Sequence, residues 1–276
     1  MLRQTGKSWV SSPLGTHLLL AISKNENSLT KKYVQIEETI RKKQQCRAMN
    51  KIFYSNTIKI DFQDIEKNVR KISLEMGDSV GFKEFCGNFV KSDTKLLLTN
   101  LCSYENKWNK RDIVSSGTTM KVYNSFTYTE DIKYEARLLE LPMKNDFKLV
   151  IIIPNEVGIL CNLFNKLYNN GLKAAIISTQ PLFTTFYELK APNIKFSCTP
   201  DMVQHFSYNC WATTEYGNVK IDENGVSIKV ITHMIPSNTK PRECLNLEQH
   251  ELNKTFFFGL VYEDTPIFTG QYVNIE

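Results

Sequence analysis

The chain lacks the patterns that mark several large classes of protein. It contains no apolar run of 18 residues, so the sequence predicts no membrane-spanning helix. Its seven cysteines include no CxxC pair, and this odd, unpatterned set indicates reduced thiols rather than a disulfide framework or a zinc site. The four histidines show no metal-ligand spacing, and no phosphate-binding loop or nucleophile motif accompanies them. The sequence therefore predicts no enzyme, no metal site and no cofactor.

The sequence also has no strong cluster of basic residues and no clear targeting signal. The net charge is +5 and the basic residues are spread along the chain. The densest cluster, Arg41-Lys42-Lys43, is more typical of a solvated helix end than of a nucleic-acid site. The apolar stretch Leu18–Ile22 is too short and too far from the start for a convincing signal peptide. We expect no nucleic-acid partner, a monomer, and a protein that is cytoplasmic or released without a signal peptide.

What is present is a helix-rich first part followed by a strand-rich second part, without repeats or Gly/Ser linkers. This order predicts one α+β domain over residues 1–276. Ser12 and Pro13 fit the N-cap and first position of a helix. The run that starts at Leu96 is too apolar for a half-exposed strand, so it should be central and covered on both faces. Further helices are predicted over 30–43, 62–72, 83–90, 160–168 and 201–206, and strands over 47–54, 96–104, 121–128, 135–141, 148–153 and 186–196, the last interrupted at Pro192.

The last quarter of the chain reads as a strand, a long loop and a buried hairpin. Residues 226–230 alternate between two faces, and a polar loop with Pro236 and Pro241 follows. Two apolar runs, Phe256–Val261 and Ile267–Gly270, then form the hairpin. Long loops in compact domains are usually functional or disordered, so this loop is the candidate functional segment.

Six segments of the chain, taken in order, resemble the serpin superfamily. They lie at 11–14, 100–108, 138–143, 150–154, 192–206 and 256–270. The resemblance implies an α+β serpin-like fold, with a central sheet A, sheets B and C, and surrounding helices.

The chain also departs from that family in being trimmed. The first long helix before Trp9, the fourth helix between Ile40 and Arg47, and one sheet C strand after Trp108 should be reduced or missing. Compact serpins of this kind are typical of poxviruses. Abundant Asn, Lys, Ile and Tyr indicate an AT-rich coding genome. We therefore expect a viral protein whose partners are host proteins or proteases.

Residues 222–254 look like the reactive loop of a serpin. In that family a protease cuts the loop, and the freed strand inserts into the central sheet. The resemblance assigns the hinge to Glu223, Asn224, Gly225, Val226 and Ile228. Serpins favour small residues after the hinge glycine. Larger β-branched side chains should slow insertion, because overpacking costs about 1–3 kcal/mol.

Two counts of residues along the sequence predict the bait position, which is where a protease would cut the loop. Counting from the hinge places it near Thr239-Lys240, and counting back from Leu252 places it near Cys244. Lys240 and Arg242 would suit a trypsin-like protease pocket. The resulting candidate contact residues are Thr239, Lys240, Arg242, Glu243 and Cys244.

Three interpretations of this segment stay open. In the first, the segment is a strand of the central sheet followed by a plain surface loop. In the second, it is a bait that a protease cuts without being trapped. In the third, it is a true inhibitory loop. The first two predict a poorly inhibitory or non-inhibitory serpin-like protein that binds a host component in inflammation or cell death, as a virulence factor. The third predicts a suicide inhibitor of a trypsin-like serine protease or a cysteine protease. A heparin- or surface-binding module is a further alternative.

Overall fold

The structure is a computed structural model and describes most of the chain in separate stretches. The described residues are 7–23, 27–54, 74–77, 96–108, 113–116, 119–123, 127–131, 135–155, 163, 166, 188–198, 206–208, 211–236 and 256–273.

Two helices lie near the start of the described chain, and both begin at polar caps. Helix α1 (Pro13–Ile22) starts as predicted, because the Ser12 hydroxyl accepts a hydrogen bond of 3.0 Å from the Gly15 N–H. Helix α2 (Ser28–Ile40) starts earlier than predicted because the Asn27 side chain accepts from the Thr30 N–H at 2.8 Å. It also ends earlier, since residues 41–45 form turns that lead into the next strand. This tight connection agrees with the predicted lack of room for another helix.

A seven-stranded sheet forms the centre of the fold. Its strands are β2 (Cys46–Tyr54), β3 (Leu74–Gly77), β4 (Leu96–Lys107), β11 (Ile194–Cys198), β12 (Phe206–Tyr208), β13 (Trp211–Asp222) and β14 (Gly225–Pro236). The order is β11-β13-β14-β4-β2-β3, and β12 pairs with β13. Strand β4 is central as predicted, and its first half is buried on both faces.

A six-stranded antiparallel sheet packs with α1 against the central sheet. Its strands are β1 (Trp9–Ser11), β7 (Thr127–Asp131), β8 (Ala136–Pro142), β9 (Phe147–Pro154), β15 (Phe256–Tyr262) and β16 (Thr265–Tyr272). The order is β1-β16-β15-β9-β8-β7. Every residue of β15 is buried, so the predicted terminal hairpin is confirmed. Side chains from both sheets and the two helices form one apolar core.

A third sheet contains β5 (Ile113–Ser116), β6 (Thr119–Tyr123) and β10 (Glu188–Pro192), in the order β10-β6-β5. Strand β5 occupies the stretch after Trp108 where a strand was expected to be reduced or missing. It is reduced to four residues rather than missing.

Three sequence predictions differ from the structure in detail. The strand predicted over 121–128 is two strands, β6 and β7, which belong to different sheets. The strand predicted over 186–196 divides after Pro192 into β10 and β11, again in different sheets, because proline lacks the N–H that a central strand donates. Phe206, predicted to end a helix, instead begins β12. The predicted helices at 62–72 and 83–90, most of those at 160–168 and 201–206, and residues 1–6 lie outside the described residues.

Candidate functional site

The segment with the hinge pattern is a full strand of the central sheet. Strand β14 has 12 residues and lies between β13 and β4, antiparallel to both. Its pairing runs from Gly225 to Pro236 on the β13 side and from Gly225 to Met234 on the β4 side. The turn at Glu223-Asn224 joins β13 to β14.

The two faces of β14 differ as the sequence predicts. The residues at positions 226, 228, 230, 232 and 234 are at most 1% exposed. On the opposite face Lys229 is exposed, and Ser227 and Ile231 are half-buried. The bulky side chains therefore fit into the core when the strand is in place. The predicted slow entry of these side chains into the sheet concerns a rate and stays a prediction.

We expect Val230→Ala to lower the free energy of unfolding by about 2 kcal/mol, because it removes two fully buried methyl groups. Urea denaturation followed by tyrosine and tryptophan fluorescence measures this difference. Lys229→Ala is the matched control, since Lys229 is on the exposed face of the same strand. Equal effects of the two substitutions would mean that β14 does not occupy the sheet in solution.

The turn that joins β13 to β14 is held by Asp222. Its side chain accepts from the Asn224 N–H at 2.9 Å, and its backbone oxygen accepts from the indole N–H of Trp108. Lys220 forms an ion pair with it at 2.7 Å. Partial burial alone would raise the pKa of Asp222, but the hydrogen bonds from Lys220 and Asn224 hold it below its ordinary value. The predicted hinge residues Glu223 and Asn224 therefore lie in a turn that side-chain and backbone hydrogen bonds hold in place.

Gly225, the first residue of β14, lies where a side chain does not fit. Its φ is 153°, which side-chain-bearing residues rarely adopt. A Cβ there would collide with the backbone oxygen of Asn106 and would lie 3.0 Å from the Cα of Lys107. The close approach of β14 to β4 thus depends on the missing side chain.

A buried polar row crosses four strands beneath α1. Asn50, Asn100, Thr232 and Glu215 are register partners in succession on β2, β4, β14 and β13. All four are at most 2% exposed. Asn100 donates to Asn50 at 2.8 Å, and the Thr232 hydroxyl donates to Glu215 Oε1 at 3.0 Å. Residue spacing could not reveal this row, because it exists only once the strands are paired.

Glu215 links this row to the N-terminus of α1. The same oxygen, Oε1, also accepts from the Ser12 N–H at 3.0 Å and from the Thr16 hydroxyl at 3.5 Å. A carboxylate at a helix N-terminus is stabilised by the unpaired N–H groups and the helix dipole. Glu215 therefore connects β14 to α1 through a single carboxylate oxygen.

His233 lies on the other face of β14. Its Nδ1 is 2.9 Å from the Thr99 hydroxyl on β4, and its ring meets the ring of Tyr216 edge-on at 5.4 Å between centroids. Burial lowers the pKa of His233 to about 4. His17 on α1 is similar: its pKa is lowered to about 4, chiefly by burial, and its ring stacks on Tyr33 at 4.5 Å between centroids.

The solved structures that match this chain include serpins. A structure titled cleaved Serpin 42Da matches with a TM-score of 0.71 and 20% identity, over 99% of this chain and 93% of that chain. The thermophilic serpin tengpin, in the latent state, matches with a TM-score of 0.71 and 13% identity, over 99% and 93%. The chain has the serpin fold. The expected sheets A, B and C correspond to its seven-, six- and three-stranded sheets.

The sequence of this serpin-like chain also has a curated relative. Human Serpin B4 is 28% identical over 177 residues, which is 56% of this chain. The match covers 45% of the relative's own length. No family model matches the chain. The resemblance to serpins that the sequence indicates is therefore confirmed.

The predicted sites of this serpin-like chain divide into described and undescribed parts. All five hinge residues lie in the turn and the start of β14, with Val226 and Ile228 fully buried. The predicted bait residues Thr239, Lys240, Arg242, Glu243 and Cys244 lie outside the described residues. Within the described stretches, no three His, Cys, Asp or Glu side chains converge to hold a metal ion, and no helix is long and apolar enough to cross a bilayer.

Proposed function

We propose that this serpin-like chain inhibits proteases poorly or not at all, and that it acts by binding a host protein rather than as an enzyme. The position of β14 carries this proposal. An inhibitory serpin traps a protease through strand insertion that follows cleavage. Here the corresponding segment is already paired with β13 and β4 in the central sheet. A strand that already occupies the sheet has no insertion left to perform after the loop is cut.

The trimmed fold and the residue composition support a viral origin for this proposed role. In that setting the chain would act in the host cytoplasm, or after release, as a modulator of inflammation or cell death. Its partners would be a host protein or protease, with no nucleic acid involved.

Suicide inhibition of a trypsin-like serine protease or a cysteine protease is the second candidate. It is favoured by the retained hinge glycine and by an alternating strand whose inward face is wholly buried in the sheet. These features show that the sheet can accept this segment as a strand. They are what an inhibitor would need after cleavage near Lys240 to Cys244.

We expect no SDS-stable complex when the protein is incubated with a panel of trypsin-like and cysteine proteases. Cleavage within residues 237–255 should change the melting temperature by less than about 3 °C, equivalent to roughly 1 kcal/mol for a domain of this size. Electrophoresis and calorimetry before and after cleavage measure both quantities. Lys240→Ala and Arg242→Ala locate the cut by shifting the fragment masses.

One result would overturn the proposal in favour of inhibition. It is a covalent complex that forms with the native chain and disappears in Gly225→Arg, together with a large rise in melting temperature after cleavage. A chain that is cut without either effect behaves as a substrate, which agrees with the proposal.

A further inference from the structure

The turn that leads into β14 contains an asparagine followed directly by a glycine. Asn224 is exposed in this turn, and Gly225 is the first residue of β14. The side-chain carbonyl carbon of an asparagine is an electrophile, and the backbone nitrogen of the next residue can attack it to close a succinimide ring. Glycine hinders this ring closure least, because it carries no Cβ beside the attacking nitrogen. The pair therefore places a reactive amide at the surface, where the strand begins.

The side chain of Asn224 lies close to carboxylates. Its Nδ2 donates to Glu223 Oε1 at 3.5 Å, and its backbone N–H donates to Asp222 Oδ1 at 2.9 Å. Lys220 forms an ion pair with Asp222 at 2.7 Å. A carboxylate at position 224 would replace the amide donor with an acceptor and would face Glu223 as a like charge. Loss of the amide therefore removes a contact and adds a repulsion in the same turn.

We propose that Asn224 is a deamidation site, and that its conversion loosens the start of β14. The Gly225 backbone nitrogen bonds to Asn224 Cγ, and the bond from Cγ to Nδ2 breaks. Nδ2 leaves as ammonia and takes the proton of the Gly225 N–H. Water then opens the succinimide ring at either carbonyl carbon, which leaves aspartate or isoaspartate at position 224. Water is the co-reactant, no redox step occurs, and the inference does not rest on what the chain binds.

The two products differ in how they affect the strand. Aspartate keeps the normal backbone and adds only the charge. Isoaspartate routes the backbone through Cγ, so the chain gains a carbon atom immediately before Gly225. Gly225 is so close to β4 that a Cβ would collide with the backbone oxygen of Asn106. Because the strands leave little space at this point, isoaspartate should disturb the pairing of Gly225 with Lys107 more than aspartate does.

Peptide mapping by mass spectrometry, on the full chain aged in mildly alkaline buffer, tests this inference. We expect Asn224 to be converted at least about 10-fold faster than Asn218, which corresponds to a barrier about 1.4 kcal/mol lower. Asn218 is the matched control, because it is also exposed but lies within β13 and is followed by the β-branched Val219. Labelling by an isoaspartyl methyltransferase measures the isoaspartate fraction. The map also separates this site from Asn170-Gly171, the second Asn-Gly pair of the sequence.

Hydrogen exchange then measures the effect on the strand. In the aged chain, amides of residues 225–230 should exchange at least about 5-fold faster than in the fresh chain, which is the effect of losing one hydrogen bond. Asn224→Asp supplies the charge with a normal backbone and should show a smaller rise. Asn224→Gln keeps a side-chain amide whose ring closure is much slower, so ageing should leave its exchange unchanged.

The inference is overturned if Asn224 and Asn218 are converted at the same rate. It is also overturned if Asn224 is converted while the exchange of residues 225–230 stays as in the fresh chain. An equal rise in aged Asn224→Gln would likewise contradict it, because the change in exchange would then come from another site.

Discussion

Replacing Gly225 with arginine should drive β14 out of the central sheet. The residue has a φ of 153°, and a Cβ at this position would overlap the backbone of Asn106. The backbones of Gly225 and Asn106 cannot move apart easily, because both residues lie in paired strands of the sheet. We expect a loss of at least about 3 kcal/mol, since a backbone clash adds to the strain of an unfavourable φ.

The loss should begin at the turn and continue along the strand. Gly225 is the first residue of β14 and pairs with both Asp222 and Lys107. When this end cannot dock, the buried face beyond it loses its fixed register. Amides of residues 225–236 should therefore exchange at least about 100-fold faster than in the native chain, which corresponds to roughly 3 kcal/mol.

Asn224→Arg is the matched control for this change. It places the same side chain one residue earlier, where Asn224 is exposed in the turn and its φ is not positive. Its backbone N–H can still donate to Asp222. Similar exchange in both variants would show that the charge of arginine, not the close approach of the strands, is responsible.

The fold was largely predictable because its strongest signals are local. The cap at Ser12 and Pro13, the apolar run from Leu96, and the terminal hairpin each depend on neighbours in sequence. The order of these segments along the chain resembles that in serpins, and it can be recognised without knowing which strands pair. Strand boundaries were less accurate where one strand ends and another sheet begins, as at Pro192, because the change of sheet is a tertiary event.

The candidate site was predictable only in part, for the same physical reason. Gly225 and the alternation of β14 are both visible as sequence patterns. The structure shows the unusual φ of Gly225 and the alternating burial of β14, whereas the hinge role stays a prediction. Glu215 and Thr232 are 17 positions apart, and Glu215 and Ser12 are 203 apart. No periodicity joins residues at such separations, so their contact becomes visible only when β13, β14 and α1 are packed together. The single-domain organisation and the bait position stay predictions.

Removal of the Glu215 carboxylate should also have a large effect on stability. Its Oε1 accepts from the Ser12 N–H, the Thr16 hydroxyl and the Thr232 hydroxyl, and Glu215 is 2% exposed. In Glu215→Ala these donors lose their acceptor within the packed interior. We expect a loss of about 3–5 kcal/mol, because hydrogen bonds to a charged group are strong and buried donors left unpaired are penalised.

Three further variants separate the parts of this effect. Glu215→Gln keeps an oxygen acceptor but loses the charge at the helix N-terminus, so about 1–2 kcal/mol should be lost. Thr232→Val removes only the donor on β14 and should cost about 1–2 kcal/mol. Glu105→Ala is the matched control, because Glu105 is an exposed glutamate on β4. Urea denaturation of each variant measures the differences.

A double-mutant cycle then tests whether Glu215 holds β14 itself or only α1. If the hydrogen bond from Thr232 is formed in solution, Glu215→Ala and Thr232→Val should be coupled by about 1 kcal/mol or more. Additive effects would mean that Glu215 caps α1 while β14 is held by its apolar face alone. Coupling would instead make Glu215 the link between α1 and β14.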